Sequence, residues 1–203
     1  MKTLCLMTAC LALLAGCRSE QAGAPQTPAV ASSPHRFTDA GLGLTIPVPA
    51  DMTLHHDFRR AYLDAAAWQA FAGNHGLGHP LAALVLKGSN RITAAELRIS
   101  ENGDPQALAH CEDMPASAEP GSVASQPLDG VVFQRFRAGD AAMSHYLKVE
   151  GYRAVRDDRC VAIDLLIYGT RPEVYDPPRT PPFSEAQAWQ ALHRALGGLR
   201  WSH

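Results

Sequence analysis

The sequence predicts an α+β domain: an antiparallel β-sheet meander with helices packed on it, including a C-terminal helix. Three observations carry this. Between residues 131 and 168 apolar and polar residues alternate in three successive runs, with turn-forming residues in the gaps, the period-two pattern of strands joined by tight turns. Near the end the period changes, and Trp189, Leu192, Leu196 and Leu199 follow one another at steps of three, four and three, which is helical spacing. Three consecutive runs joined by tight turns imply antiparallel pairing, and the closing helix then lies on the sheet face, as an α+β architecture requires.

The elements follow in order. Gly43-Leu44-Thr45-Ile46-Pro47-Val48-Pro49 reads as the first strand, with Leu44, Ile46 and Val48 on one face; Pro47 has no N–H to donate and demotes it to an edge or a bulge. Residues 57–72 read as a helix, with Phe58, Tyr62, Ala65 and Trp68 at helical spacing and Gly73-Asn74-His75-Gly76 as its end. Residues 81–87 and 93–100 form a hairpin across Gly88-Ser89-Asn90. Asp104 caps a short helix that has Pro105 at its first position and reaches about Cys111. Residues 114–127 read as a loop with a short strand near Val123. The meander then runs through 131–137, through 143–155 with Met143, His145, Leu147 and Val149 on one face, and through 161–168 with Val161, Ile163, Leu165 and Ile167 on one face. Gly139-Asp140 and Asp157-Asp158 mark its turns. Ser184 and Gln187 form a capping box for the last helix, and Gly197-Gly198 stops it.

The N-terminus is organised differently. Lys2 is followed by an apolar run over 4–14 broken only by Thr8, and then by Ala15, Gly16 and Cys17. The run is too short to span a bilayer, which takes about 20 residues, and has the proportions of a signal h-region. Leu14-Ala15-Gly16-Cys17 resembles the lipobox of bacterial lipoprotein precursors. That resemblance covers residues 1–17. It implies cleavage before Cys17, acyl chains of the palmitate kind on the new N-terminal cysteine, and a protein held on a membrane without a spanning helix. Arg18 stands where Asp favours inner-membrane retention in enteric lipoproteins, so the resemblance implies the outer membrane, facing the periplasm. Residues 1–16 are then a signal peptide and 17–35 a lipidated tether, small and broken by Pro25, Pro28 and Pro34, unable to bury enough surface to offset the entropy of ordering. Residues 36–203 form a single domain.

Composition narrows the function. Loss of Lys2 with the signal peptide leaves 17 of the 18 Lys and Arg against 20 Asp and Glu, which gives no reason to expect nucleic acid as a partner. Of five cysteines, Cys5 and Cys10 leave with the signal peptide and Cys17 takes lipid. Cys111 and Cys160 remain as a pair in an oxidising compartment, where a disulfide is expected. It would close a loop of about 50 residues, stabilising by about 4 kcal/mol in the chain-entropy account.

Motifs of chemistry are sparse. His55, His56, His75 and His79 cluster in sequence near Asp57 and could ligate zinc or copper, but Gly and Pro break the stretch between His75 and His79. A metal-binding protein or enzyme built on them is the alternative to a binding protein. No G-x-S-x-G elbow occurs, Gly41-Leu42-Gly43 lacks the third glycine of a phosphate loop, and nothing points to a catalytic residue or a cofactor. Asp164 interrupts an apolar strand and is expected on an outer face, solvated or paired with Arg. Residues 169–183 carry five prolines, which stiffen them towards polyproline II. They would display Arg171, Tyr175 and Arg179, residue types favoured at binding hot spots. The order of elements, from Gly43–Pro49 to the closing helix of 184–199, also loosely resembles PsbP/Mog1-like domains, and that resemblance implies a binding or assembly role. Together these readings make a non-catalytic envelope lipoprotein that binds a protein or another envelope component.

Overall fold

The structure, a computed structural model, describes residues 35–60 and 78–202. The lipobox with Cys17, the tether through residue 34, His75 and most of the helix expected over 57–72 lie outside the described residues. The four described residues of that expected helix, 57–60, are not helical.

Seven strands build the main antiparallel sheet: β3 (Met52–His55), β4 (His79–Leu86), β5 (Ala94–Asn102), β6 (Ala124–Leu128), β7 (Val131–Ala142), β8 (His145–Arg156) and β9 (Arg159–Thr170). Their spatial order is β3-β4-β5-β9-β8-β7-β6, so β7 to β9 are the expected meander, β6 extends it at the edge, and β9 joins it to β5. A smaller sheet holds β1 (Arg36–Asp39), β2 (Leu44–Pro47) and β10 (Arg200–Trp201), with β2 in the middle. The helices are α1 (Pro105–Ala109) and α2 (Glu185–Leu196). The fold is α+β and mostly β.

One face of the main sheet carries the principal core. Leu84, Leu97, Ile99, Ile163, Leu165 and Ile167 pack there against α2 and the small sheet. α2 buries Ala188, Ala191, Leu192, Ala195 and Leu196; three alanines on that stripe bring the helix axis close to the strands, and each leucine contributes about 1.5–3 kcal/mol by leaving water. The capping box of Ser184 and Gln187 is formed. Leu199 lies beyond the helix, which stops at Leu196.

The opposite face is less apolar. Phe136, Val149, Leu166 and Tyr168 cluster there, and Cys111 is bonded to Cys160 with 5.4 Å between their Cα atoms. Buried ions lie between these groups. Glu96 is held by Arg98 and by Arg60, whose Nη2 is 2.8 Å from Oε2, and Asp164 accepts from Arg153 Nη1 at 2.8 Å. The Arg98 and Arg153 guanidinium groups rest over the rings of Phe58 and Phe136. Asp164 is therefore Arg-paired as expected, but fully buried instead of solvated. Gly151 makes the stacking possible: a Cβ there would lie 2.3 Å from Phe136 Cζ.

Three further expectations change. Pro47 does not put its strand at an edge, because β10 pairs on the far side of β2; that pairing reaches only Thr45 and Leu44, so Pro47 still faces no ladder partner there. Gly139 and Asp140 are not a turn but lie inside β7, paired with Lys148 and Leu147. The turn falls instead at Met143 and Ser144, so Met143 leaves the strand face assigned to it and is 93% exposed. β1, β3 and β10 had no counterpart among the expected elements, while the short strand near Val123 is β6, at the sheet edge.

Candidate functional site

The described surface is concave where α2 leaves the outer half of the β7–β8 hairpin uncovered. A cleft of about 820 Å³ opens there. Two stripes form it. On α2, Glu185, Trp189 and His193 are spaced at i, i+4 and i+8 and therefore share one side of the helix. On β8, Lys148 and Glu150 are two apart and share one face of the sheet, with Tyr152 next on the same face beneath the core. The stripes meet as rungs: Lys148 Nζ donates to Glu185 Oε2 at 2.6 Å, and His193 Nε2 lies 3.1 Å from Glu150 Oε1. Trp189 sits between the rungs, its indole N–H directed at Glu185 Oε1 at 3.3 Å and its ring stacked on His193 at 5.8 Å.

The electrostatics follow from this packing. Lys148 donates to Glu185 and holds that carboxyl below its ordinary range, against a smaller opposing effect of burial. Burial pushes the Tyr152 phenol far above its ordinary range, and the Glu150 carboxylate that accepts its hydroxyl proton adds to the effect. Tyr152 is thus a fixed neutral donor beneath Glu150, and Glu150 is held from below by the phenol and from the side by His193. On the facing strand, Arg137 pairs with Glu119 at 3.4 Å.

The cleft continues under the proline-rich segment. A second hollow of about 370 Å³ shares Tyr146, Lys148, Arg171 and Glu185 with the first and is bounded by Pro172, Pro181 and Phe183. The segment is not the extended polyproline II rod expected of it. Pro172–Val174 make a single 3-10 turn, and the chain folds back so that the N–H groups of Tyr175 and Arg179 both donate to Pro172 O. The Arg179 guanidinium lies over the Tyr175 ring at 4.4 Å. Arg171 faces the cleft, and its N–H donates to Ser144 O at 2.8 Å, pinning the segment to the β7–β8 turn. The three residues expected to capture a partner thus divide into a Tyr175–Arg179 stack and a separate Arg171.

The histidines do not make a metal centre among the described residues, where no group of three or more His, Cys, Asp or Glu side chains is placed to hold a metal ion. His55 lies on β3 and His79 begins β4. His56 packs on Phe37 with its Nδ1 3.3 Å from Leu81 O, and Asp57 pairs with Arg60.

Trp189 is expected from the sequence as part of the apolar stripe, whereas it is only partly buried against the core and lines the cleft. Lys148, Glu150, Glu185 and His193 carry no site expectation from the sequence. Their signal was present as a polar stripe beside the apolar stripe of α2 and as polar residues opposite Leu147 and Val149 on β8. Nothing in the sequence states that these two stripes face each other. Compared with known proteins, the chain matches no family model, and no curated protein matches it.

Proposed function

We propose that this chain is an envelope lipoprotein, held on the outer membrane and facing the periplasm through lipid on Cys17, that binds a partner protein without catalysing a reaction. The lipobox residues supply the anchor, since two or more acyl chains hold a protein stably where a single one does so marginally. The Cys111–Cys160 disulfide fits an oxidising compartment. One observation carries the binding role: at the β7–β8 turn Met143 is 93% exposed and has φ of 48°, and Arg171 ties the proline-rich segment to that turn. A bulky side chain in left-handed backbone is unfavourable for the turn, and backbone strain of this kind collects at ligand-binding and switch regions.

The reading is tested in cells with a photocrosslinker at Val174, exposed on the same segment, and a control crosslinker at Asp158 on the far end of the sheet. The expected result is a discrete protein adduct from position 174 alone. It should disappear when Arg171, Tyr175 and Arg179 are replaced by Ala, and Cys17→Ser should release the protein from membranes. An adduct indifferent to the triple replacement overturns the binding surface, and Cys17→Ser protein that stays on the membrane overturns the anchor.

A further inference from the structure

We propose that the cleft between α2 and the β7–β8 hairpin is a binding site for an uncharged oligosaccharide. Its charge balance is the first argument. The lining carries three cations, Arg137, Lys148 and Arg171, against the carboxylates of Glu119, Asp140, Glu150 and Glu185. A phosphate or acidic polymer would meet four like charges, and a polycation would meet three, so neither gains from the field of the cleft.

The second argument is what the charged groups offer once they are paired. Lys148 spends one of its three protons on Glu185, and Glu150 accepts at one oxygen from Tyr152 and His193. Each is fixed in position yet keeps donors or lone pairs to spare. Fixed donors and acceptors alternating along a wall suit vicinal hydroxyls, each of which both gives and takes a hydrogen bond. They suit an aliphatic ligand poorly, because it would leave those polar groups unsatisfied. Pre-pairing also lowers the ordering cost of recognition, since the side chains are already held before the ligand arrives.

The third argument is shape. From Glu185 to His193 the helix wall runs about 12 Å at the α-helical rise, and the adjoining hollow lengthens the cleft under Pro181 and Phe183. The cleft is therefore a trough for a chain and not a socket for one small molecule. Trp189 lies midway along it, with Tyr146 on the floor. Aromatic rings with a polar handle present apolar area at a wet boundary, which matches the C–H faces of sugar rings between their hydroxyls. The assignment does not depend on the lipid anchor or on the Met143 tip, so the two proposals fail separately.

The test is calorimetric titration of the full-length protein in detergent micelles with N-acetylchitotetraose and maltotetraose, and with tetralysine and tetraglutamate as charged comparators. Saturable binding of at least one tetrasaccharide is expected, with both peptides inert. Trp189→Ala should weaken the sugar by tenfold or more and Trp189→Phe by less than threefold. Lys148→Met, at a side chain about half exposed and not needed for the core, should weaken it several-fold with an unchanged circular dichroism spectrum, so the proposal stays testable if Trp189→Ala unfolds. Absence of binding by both tetrasaccharides overturns the proposal, as does sugar binding indifferent to Trp189→Phe, Trp189→Ala and Lys148→Met, or binding of a charged peptide in their place.

Discussion

At one end of the meander, Asp129-Gly130 turns β6 into β7 with φ of 50° and 87°, and Asp157-Asp158 turns β8 into β9 with 49° and 57°. At the other end, Met143-Ser144 turns β7 into β8 with 48° and 76°. All three are two-residue connections with both central residues left-handed, the geometry that matches strand twist and asks for Asn, Asp or Gly. The first end complies and is braced. Asp129 Oδ2 accepts from the Trp201 N–H at 2.8 Å, the Trp201 indole donates to Leu128 O at 3.0 Å, and the disulfide fixes Cys160 two residues after Asp158. The second end breaks the rule with Met143 and gathers the proline-rich segment and the cleft. Identical geometry filled with different chemistry separates a scaffold end from an end where local stability has been given up, and such concessions collect at sites of recognition.

The largest effect should come from the scaffold end. Cys111→Ala with Cys160→Ala reopens a loop with a sequence separation of 49 and should cost about 4 kcal/mol, read as a lower midpoint in guanidinium unfolding, with a steeper slope because the uncrosslinked unfolded chain exposes more surface. Crosslinking from Val174 and sugar binding in the cleft should persist under native conditions, because the disulfide lies at the opposite end. If both vanish while circular dichroism shows a folded protein, the two ends are not separable.

Swapping the turns sharpens the comparison at intermediate size. Gly130→Val puts a β-branched residue at φ of 87° and should cost about 1–3 kcal/mol. Met143→Asn with Ser144→Gly supplies what the geometry asks for and should gain about 1 kcal/mol, visible as a higher Tm. The same double replacement should cut the Val174 crosslink several-fold, since it removes the exposed thioether. A Tm that falls would mean that the Met143 turn carries no strain, and an unchanged crosslink would remove Met143 from the binding surface.

What the sequence shows and what it hides divide along similar lines. The Asp104 cap, the Ser184–Gln187 capping box, the hairpin across 88–90 and the Asp157-Asp158 turn were all legible, because each is decided within a few neighbouring residues. β10 was not, since a strand of two residues is stabilised only by pairing with β2 across the chain, and β1, four residues in a local hairpin with β2, is too short to show a period. Gly139-Asp140 reads as a turn because glycine is a good local turn signal, whereas here it lies well inside a 12-residue strand. Met143 reads as a strand-face residue for the complementary reason: an apolar residue in phase with Leu147 and Val149 gives no hint of a turn. The Asp164–Arg153 pair joins neighbouring strands, and one sequence does not say that the two side chains lie together. Of the candidate site, Arg171 was legible through its proline-rich setting, but the rungs across the cleft depend on how α2 lies over β8.

The smallest effect tests whether those rungs preorganise the proposed binding end. Lys148 lowers the Glu185 carboxyl in the folded protein. A carboxylate lowered on folding contributes stability that is present above its unfolded pKa and is lost as pH falls through the folded value. Both side chains are about half exposed, so the pair should be worth only about 0.2–1 kcal/mol. In Lys148→Ala the Glu185 midpoint, followed by NMR of its side-chain carboxyl, should rise towards the ordinary range. The rise should be incomplete in its cause, because the Trp189 indole still donates to the same carboxylate. The variant should also lose less stability than the parent between pH 7 and pH 3. A Glu185 midpoint that does not move would mean that the rung is not held in solution. The cleft would then start from mobile side chains, a sugar would have to order them on binding, and the proposed binding end would lose the preorganisation that sets it apart from ordinary surface.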